Sequence, residues 1–413
     1  MQSFLSFERI LSFSLKALAG RERNFKSSKL SLNRQDFTAP EAGRLVTGAG
    51  GYLAFLPAPL PPKLNYSPEL VTLISKADAA LSELSGLGRL LPNPHLLIAP
   101  WMAREAVLSS RIEGTRASLS DVLIDEVGGV GPKPPEDLGE VRNYIVALEH
   151  GIERLPKLPL SLRLVREIHA KLMKGVRGDR ATPGEFRRSQ NWIGAAGSTP
   201  ASAAYVPPPV ENLLECLDDW EKFLHQRDAM PDLVQCALMH EQFEAIHPFL
   251  DGNGRVGRLL ITLFLIERGR LSHPLLYLSD YIDEHRRDYY DLLQRVRTRG
   301  DWDSWLRYFI NGVQVTAADA VKRTSHVIEL REKFRSRVAD KPKALSLVDQ
   351  LFTNPYLTVA RAEAVLKISN PTARKVVDLL IERKLIAQMG KRRWAKLYLA
   401  REVLEAIEGT KSK

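Results

Sequence analysis

The stretch His247-Pro248-Phe249-Leu250-Asp251-Gly252-Asn253-Gly254-Arg255-Val256-Gly257-Arg258 decides what the rest of this chain must fold around. An apolar run over 259–266 follows directly, which predicts a central helix that is buried on nearly all sides. Unpaired N–H groups at the start of a helix, together with the positive end of its dipole, bind anions. The glycine-rich stretch therefore predicts an anion site where a central helix begins.

The charged side chains of this stretch suit a polyphosphate. Arg255 and Arg258 are three residues apart, so they share one helical face and can grip phosphates together. Asp251 can hold Mg²⁺ between phosphate oxygens. His247 offers an imidazole, the side chain that most often acts as a general base. Together these residues indicate transfer of a phosphoryl or nucleotidyl group.

Composition indicates a soluble globular protein, since 44% of the 413 residues are hydrophobic and 26% are charged. A chain of this length predicts about two to four domains. No apolar run reaches the roughly 18–20 residues of a membrane span, and no cleavage site for secretion follows the apolar start. Cys216 and Cys236 lack metal-ligand spacing, which predicts reduced thiols in a cytoplasmic protein without membrane contact.

Proline- and glycine-rich segments divide the chain into parts. We expect a poorly ordered tail over 1–46, an N-terminal helical region over 47–135, a helical core with its following helices over 136–340, and a separate module over 341–413. Hydrophobic periodicity predicts helices in both middle parts. Their expected ranges are 68–91, 100–111, 118–125, 137–153, 161–173, 210–225, 232–246, 254–268, 279–296 and 302–316, the last continuing to about 339.

Extended segments interrupt this helical pattern within the core. Residues 188–194 and 204–209 flank a turn rich in glycine, alanine and serine, which predicts a β-hairpin. Shortly before the glycine-rich stretch, His240 and Glu241 are interpreted as structural rather than catalytic residues. The fold class expected from the whole pattern is all-α, with this hairpin added to the helical core.

The C-terminal module has a pattern of its own. Helices are predicted over 345–352, 358–366 and 371–381, followed by strands at 385–388 and 395–399, which is typical of a winged helix-turn-helix. The chain carries a net charge of +10, and the excess of bases is concentrated here. Such bases suit DNA phosphates, while docking of a partner protein or formation of a homodimer stays open. The candidate DNA contacts are Arg374 and Lys375 on the third helix and Lys391, Arg392 and Arg393 on the turn between the strands.

The glycine-rich stretch matches every position of His-x-Phe-x-(Asp/Glu)-Gly-Asn-Gly-Arg-x-x-Arg, and the chain thereby resembles the Fic family of the Fic/Doc superfamily. The resemblance extends over about 51–316. It implies a compact helical bundle with a β-hairpin flap, which transfers AMP to a Ser, Thr or Tyr hydroxyl of a target protein or of itself. The substrate and metal that it implies are ATP and Mg²⁺.

The resemblance also assigns roles to individual residues. Transfer of this kind depends chiefly on positioning and on charge stabilisation. His247 would take the proton from the attacking hydroxyl, Asp251 would hold Mg²⁺, and Phe249, a residue of the nucleotide-binding loop, would anchor that loop in the core. The residues that would meet the phosphates are Gly252, Asn253, Gly254, Arg255 and Arg258.

A second motif lies far upstream. Ser109-Ser110-Arg111-Ile112-Glu113-Gly114 resembles the (Ser/Thr)-x-x-x-Glu-(Gly/Asn) inhibitory motif that some Fic proteins carry N-terminal to the core. By this resemblance Ser109, Glu113 and Gly114 form an autoinhibitory brake. Glu113 would pair with Arg258 in the bidentate geometry that arginine suits, so that ATP would bind in a non-productive pose.

In this family the hairpin is a flap that aligns the target by strand addition, which needs main-chain pairing but no particular sequence. The flap candidates are Ile193, Gly194, Tyr205 and Val206. Two alternatives to AMP transfer stay open: removal of AMP, with Glu113 orienting water, and a DNA-binding regulator whose Fic domain serves as a nucleotide sensor. The retained Gly-Asn-Gly argues against a Doc-like kinase, because the anion loop of that branch differs.

Overall fold

The computed structural model describes residues 32–90, 94–128, 135–176, 182–390 and 396–409. Over these residues the protein is mostly helical. The chain forms two compact units. The first unit consists of Met1–Ile74, Ala147–Glu267 and Glu284–Asn311, and the second of Ser75–Val146, Arg268–Asp283 and Gly312–Lys413.

Helices and strands are numbered separately, each in chain order. The helices are α1 (Pro68–Leu90), α2 (Pro94–Ile112), α3 (Leu119–Glu126), α4 (Leu138–Arg154), α5 (Leu162–Leu172), α6 (Val210–Leu224), α7 (Asp232–Ile246), α8 (Asn253–Glu267), α9 (Leu278–Glu284), α10 (Arg286–Arg299), α11 (Trp302–Ser336), α12 (Pro342–Thr353), α13 (Val359–Leu366), α14 (Asn370–Glu382) and α15 (Arg401–Glu408). The strands are β1 (Gly43–Thr47), β2 (Leu53–Pro57), β3 (Tyr356–Thr358), β4 (Ala387–Met389) and β5 (Leu397–Leu399).

The helices predicted before the C-terminal module are present, most of them within a few residues of the expected bounds. One exception is α2. Proline favours the first helical position, so Pro100 is the expected start, but the helix begins at Pro94 and Pro100 lies inside it. The other is the helix expected over 279–296, which is two helices, α9 and α10, divided at His285. None of the described helices is long and apolar enough to cross a bilayer.

A β-hairpin precedes the first helix. Strands β1 and β2 pair antiparallel along their full length, and the Phe55 N–H donates to the Val206 carbonyl at 2.9 Å. The prediction of a poorly ordered tail over 1–46 is therefore wrong for residues 32–46. Residues 1–31 lie outside the described residues. Apolar residues on both sides of the glycine-rich turn at 48–51 are the hairpin signal in this part of the sequence.

The core of the first unit is built around α7 and α8, which pack against each other. Every residue of α7 from Leu233 to Ile246 is buried, and so is α8 from Arg255 to Leu265. Helices α6 and α10 and strand β2 contact α7, and α5 contacts α8. Because these neighbours surround the pair, the loop that joins α7 to α8 starts and ends on rigid, buried helices.

In the second unit α2 is the central helix, and it packs against α3, α12 and α15. Arg104 of α2 is only 8% exposed. Its guanidinium donates to the carbonyls of Ile407 and Glu408 at 2.8 and 2.6 Å and to the Asp280 carboxylate at 2.7 Å. The last carbonyls of a helix have no partner within the helix. Arg104 therefore fastens the end of α15 to α2.

The C-terminal residues form α12, β3, α13, α14, β4, β5 and α15 in that order. Strand β5 lies between β3 and β4 and pairs antiparallel with both. The helices and strands predicted for this module are present. Strand β3 and helix α15 are additions that the sequence did not predict. The Tyr356 hydroxyl of β3 donates to Ser120 Oγ of α3 at 2.9 Å. The basic residues Lys391, Arg392 and Arg393 lie outside the described residues.

Candidate active site

His247 stands at the end of α7, where the chain leaves the helix. It is the C-cap residue and has left-handed dihedral angles, φ 49° and ψ 60°, and its N–H still donates to the Phe243 carbonyl at 3.0 Å. Left-handed backbone is uncommon for a residue other than glycine and costs about 1–2 kcal/mol. Its surroundings must therefore hold this conformation, and they leave the residue half-buried.

Polar side chains from 187–191 supply that support. The His247 carbonyl accepts hydrogen bonds from Arg187 Nε at 3.1 Å and from Asn191 Nδ2 at 3.2 Å. Asn191 Nδ2 also donates to the Phe249 carbonyl at 2.8 Å. These carbonyls follow the end of α7, so without such donors they would be buried and unsatisfied.

The loop is also closed on itself by Asn253. Its Oδ1 accepts the Phe249 N–H at 2.8 Å, and its Nδ2 donates to the Phe249 carbonyl at 2.8 Å. The Asn253 side chain was expected near the phosphates, but the residue is 2% exposed and both polar atoms bond to main chain. In this structure Asn253 is a loop-closing residue, and its main chain begins α8.

Phe249 is fully buried and stacks on the imidazole of His169, with ring centroids 3.7 Å apart and planes at 5°. His169, a residue of α5, hydrogen-bonds on both sides: the Gly184 N–H donates to Nδ1 at 2.8 Å, and Nε2 lies 3.0 Å from the Asp251 carbonyl. Because Nδ1 accepts, the ring proton is on Nε2 and donates to Asp251. Burial lowers the pKa of His169 to about 4, so the ring is neutral.

Asp251 and Gly252 form the turn into α8. The Asp251 side chain is 46% exposed, and its Oδ1 accepts the Gly252 N–H at 2.6 Å. Gly252 has φ +79°, and a Cβ there would lie 2.7 Å from Met173 Sδ. Glycine is thus required both by the backbone conformation and by the close approach of Met173.

The two arginines of the motif lie within the protein rather than on its surface. Arg255 and Arg258 are each 2% exposed, and Gly254 between the turn and Arg255 is half-buried. Arg255 Nη2 is 3.6 Å from Met173 Sδ and 4.0 Å from the Asp251 carboxylate. Two buried positive charges on one helix face favour a polyanionic ligand, because burial strengthens their field.

A Mg²⁺ ion at this site would be coordinated jointly by the protein, the substrate phosphates and water. Among the described residues, no group of three or more His, Cys, Asp or Glu side chains could hold a metal ion by itself. Mg²⁺ in nucleotide sites is commonly bound through one or two carboxylates, with substrate phosphates and water completing the octahedron. The half-exposed Asp251 carboxylate at the start of α8 fits that arrangement.

The hairpin predicted over 188–209 is present, but its two arms pair over a shorter length than expected. It contains one antiparallel bridge, in which Ile193 and Tyr205 exchange N–H to carbonyl hydrogen bonds of 2.8 and 3.0 Å. Ile193 is 41% exposed, whereas Tyr205 and Val206 are 2% and 0% exposed and belong to the core of the first unit. Gly194 is confined by Ser198, whose Oγ would lie 2.5 Å from a Cβ. A role of this segment in target binding stays a prediction.

The second motif lies at the C-terminal end of α2, in the second unit. Ser109 is fully buried. The Glu113 N–H donates to the Ser110 carbonyl at 3.0 Å, and Gly114 has φ +95°, which ends the helix in a conformation that favours glycine. Glu113 is half-buried. The motif therefore forms a tight helix end, as its terminal glycine predicts.

Other residues singled out in the sequence have structural positions. His240 is fully buried, with Nδ1 3.1 Å from the Gly257 carbonyl and Nε2 2.9 Å from the Tyr289 hydroxyl. Glu241 forms a buried ion pair with Arg297 at 3.3 Å. These contacts support the structural roles expected for His240 and Glu241. The thiols of Cys216 and Cys236 are reduced and buried, and Arg374 and Lys375 are exposed on α14.

Comparisons with known proteins agree with this architecture. Residues 71–153 match the profile described as Fic/DOC family N-terminal, and 159–265 match the profile of the Fic/DOC family. The chain is 32% identical over 167 residues to a protein of Aedes aegypti named protein adenylyltransferase Fic, and 30% identical over 219 residues to one of Culex quinquefasciatus. These matches cover 40% and 52% of this chain but only 28% and 39% of the relatives.

A solved structure shares the fold. The Fic family protein from Desulfovibrio desulfuricans G20 superposes with a TM-score of 0.55 at 21% identity, covering 83% of this chain and 98% of that one. The buried α7–loop–α8 unit thus belongs to a fold that a solved Fic family protein shares. Over these two matched stretches, which together make up somewhat less than half of the chain, the sequence is similar to the Fic/DOC family.

Sequence reasoning missed the residues that support the loop. Arg187, Asn191 and His169 bind the main chain of the loop from segments that are 56–82 residues away in sequence. No local pattern identifies such partners. A buried polar residue requires a partner, but the charged neighbours Arg188 and Lys171 give no sign in the sequence that Arg187 and His169 are buried.

Proposed function

We propose that this protein is an adenylyltransferase that transfers AMP from ATP to a Ser, Thr or Tyr hydroxyl of a protein. The observation that carries the proposal is the loop between α7 and α8, in which His247 is held in left-handed conformation beside a turn that opens onto two buried arginines. The names of the relatives from Aedes aegypti and Culex quinquefasciatus support the same reaction.

In this mechanism the residues of the chain act by position and charge. The imidazole of His247 takes the proton as the hydroxyl oxygen attacks the α-phosphorus of ATP. A bond forms between that oxygen and phosphorus, the bond from the α-phosphorus to its bridging oxygen breaks, and pyrophosphate leaves. Arg255 and Arg258 stabilise the negative charge of the phosphates. Mg²⁺, held by Asp251, would neutralise further phosphate charge.

Mass spectrometry of the protein incubated with ATP and Mg²⁺ tests this proposal. A mass gain of one AMP is expected, and His247→Ala should lower its rate by roughly 10²–10⁴-fold, the usual contribution of a positioned general base. His225→Ala is the matched control, because His225 is the exposed C-cap residue of α6 in the same unit. A gain of phosphate, or no difference between the two variants, would contradict the proposal.

We further propose that Glu113 inhibits this activity by pairing with Arg258, which withdraws that arginine from ATP. Support comes from the motif, and from the tight turn that presents Glu113 at the end of α2. Glu113→Gly should raise self-modification at least tenfold. Glu136→Gly is the control, since Glu136 is an exposed turn residue of the same unit. Unchanged activity argues against the brake, and Mg²⁺-dependent release of AMP from a modified target would instead indicate deAMPylation by Glu113.

A second proposal concerns the C-terminal module, which we infer to be a winged helix that contacts DNA. Its helices α13 and α14 pack together, and Arg374 and Lys375 are exposed on α14, the expected recognition helix. Binding to a labelled duplex should be salt-dependent and should weaken on reversing both charges. Reversal of Lys343 and Arg401 is the control. Equal binding by all variants argues against α14 as the contact surface, and a change of mass in solution would instead indicate dimerisation.

A further inference from the structure

Four consecutive carbonyl oxygens, from Ile246 to Phe249, accept hydrogen bonds from one short segment. Arg187 Nη2 and Nε donate to Ile246 and His247 at 3.5 and 3.1 Å, and the Arg187 N–H donates to Pro248 at 2.9 Å. Asn191 Nδ2 donates to His247 and Phe249 at 3.2 and 2.8 Å. The path of the main chain on both sides of His247 is therefore fixed by these donors.

Arg187 is suited to hold several carbonyls at once. It is 2% exposed, and its planar guanidinium presents donors in fixed directions. Burial lowers the pKa of Arg187 to about 10, so the side chain remains charged at neutral pH. Charged donors form the stronger hydrogen bonds. Lysine could not reproduce the contacts, since a single ammonium group cannot reach all of these carbonyls in the same geometry.

The same segment holds the second arm of the hairpin. Arg187 Nη2 donates to the Pro208 carbonyl at 2.6 Å, and Gln190 Nε2 donates to the Pro207 carbonyl at 3.1 Å. Further along, Ile193 pairs with Tyr205. The donors that hold the loop at His247 therefore also hold the arm that enters the flap, so a displacement of the flap must strain the loop.

We propose that Arg187 and Asn191 are positioning residues that hold His247 in its left-handed conformation and couple it to the flap. The catalytic part of this inference rests on the proposed function. A displacement of about 1 Å at a catalytic group can cost roughly 10²-fold in rate. Neither residue needs to touch the nucleotide, so loss of either should lower kcat while leaving the KM for ATP nearly unchanged.

The test uses Asn191→Leu in the full chain, which removes the donor at similar side-chain size. Asn212→Leu is the matched control, because Asn212 is another half-buried asparagine of the first unit. Arg187→Lys is the second variant, in case the first does not fold. Two readouts are compared with the parent: kcat and KM for self-modification with ATP, and hydrogen–deuterium exchange of peptides covering 247–258 and the hairpin segment 192–206.

The expected result is a kcat lowered by about 10–100-fold and a KM for ATP within about twofold. Faster exchange should be confined to 247–258 in Asn191→Leu and should extend to 192–206 in Arg187→Lys, because Arg187 also holds the Pro208 carbonyl. Unchanged exchange there, or faster exchange throughout the first unit with equal loss of kcat and rise of KM, would overturn the inference. If the parent transfers no AMP at all, the proposed function fails, whereas the exchange of 247–258 still decides whether Asn191 and Arg187 hold the loop.

Discussion

Replacing Gly252 by alanine tests how tightly the loop between α7 and α8 is packed. The substitution adds a Cβ at φ +79°, 2.7 Å from Met173 Sδ. The left-handed conformation costs an alanine about 1–2 kcal/mol. Overpacking adds about 1–3 kcal/mol, because Met173 is 1% exposed and its sulfur is also in contact with Arg255 Nη2 at 3.6 Å. The sulfur cannot move away from the new methyl group without losing that contact.

Gly51→Ala is the matched control for the conformational part of this cost. Gly51 has φ +77° in the turn between β1 and β2, in the same unit, and a Cβ there would meet nothing within 4 Å. It should therefore cost only about 1–2 kcal/mol, against about 2–5 kcal/mol for Gly252→Ala. Replacement of glycine also reduces the freedom of the unfolded chain, but this effect is the same in both variants.

Thermal unfolding followed by tryptophan fluorescence measures the difference, since Trp220 and Trp305 are buried in the first unit. At about 2–4 °C per kcal/mol for a unit of this size, Gly252→Ala should melt at least 2 °C below Gly51→Ala. The combination with Met173→Ala should show a coupling of about 1 kcal/mol, because the clash is gone in that background. Equal melting of the two glycine variants, with no coupling to Met173, would refute the close-approach argument.

Three further predictions concern the buried side chains of Arg104, His169 and Cys216. Arg104→Met should cost about 1–3 kcal/mol by calorimetry, because it leaves the last α15 carbonyls without their donor, while the Asp280 carboxylate is 39% exposed and remains hydrated. Burial lowers the pKa of His169 from 6.5 to about 4, so the unfolded chain binds the proton first and stability falls as pH drops from 6.5 to 4. The free energy of unfolding, measured by urea titration, should fall by on the order of 3 kcal/mol over this pH range, and by less in His169→Gln. Burial raises the pKa of Cys216 to about 12, so iodoacetamide should not alkylate the native protein at pH 8, and rapid alkylation would contradict this.

The sequence predicted the elements of this fold better than the contacts between them. Helix α7 was predicted with its exact bounds, because Pro231 and the glycine-rich stretch limit it on either side. The hairpin β1–β2 was missed because its short strands follow a segment with no clear pattern. The positive φ of Gly252 follows from the Gly-Asn-Gly turn, but the sulfur of Met173 that makes glycine necessary comes from a distant helix end.

The position of His247 could not be predicted from hydrophobic periodicity, because α7 has no polar face. Its buried polar side chains each have a specific partner: Gln235 Nε2 donates to the Phe223 carbonyl at 2.7 Å, and Gln242 Nε2 to the Ala58 carbonyl at 3.0 Å. A buried polar group that loses its partner costs about 1–3 kcal/mol, so even a small rotation of α7 would break several such bonds together. These polar contacts therefore fix the rotation of α7 about its axis, and with it the direction in which the chain leaves the helix at His247.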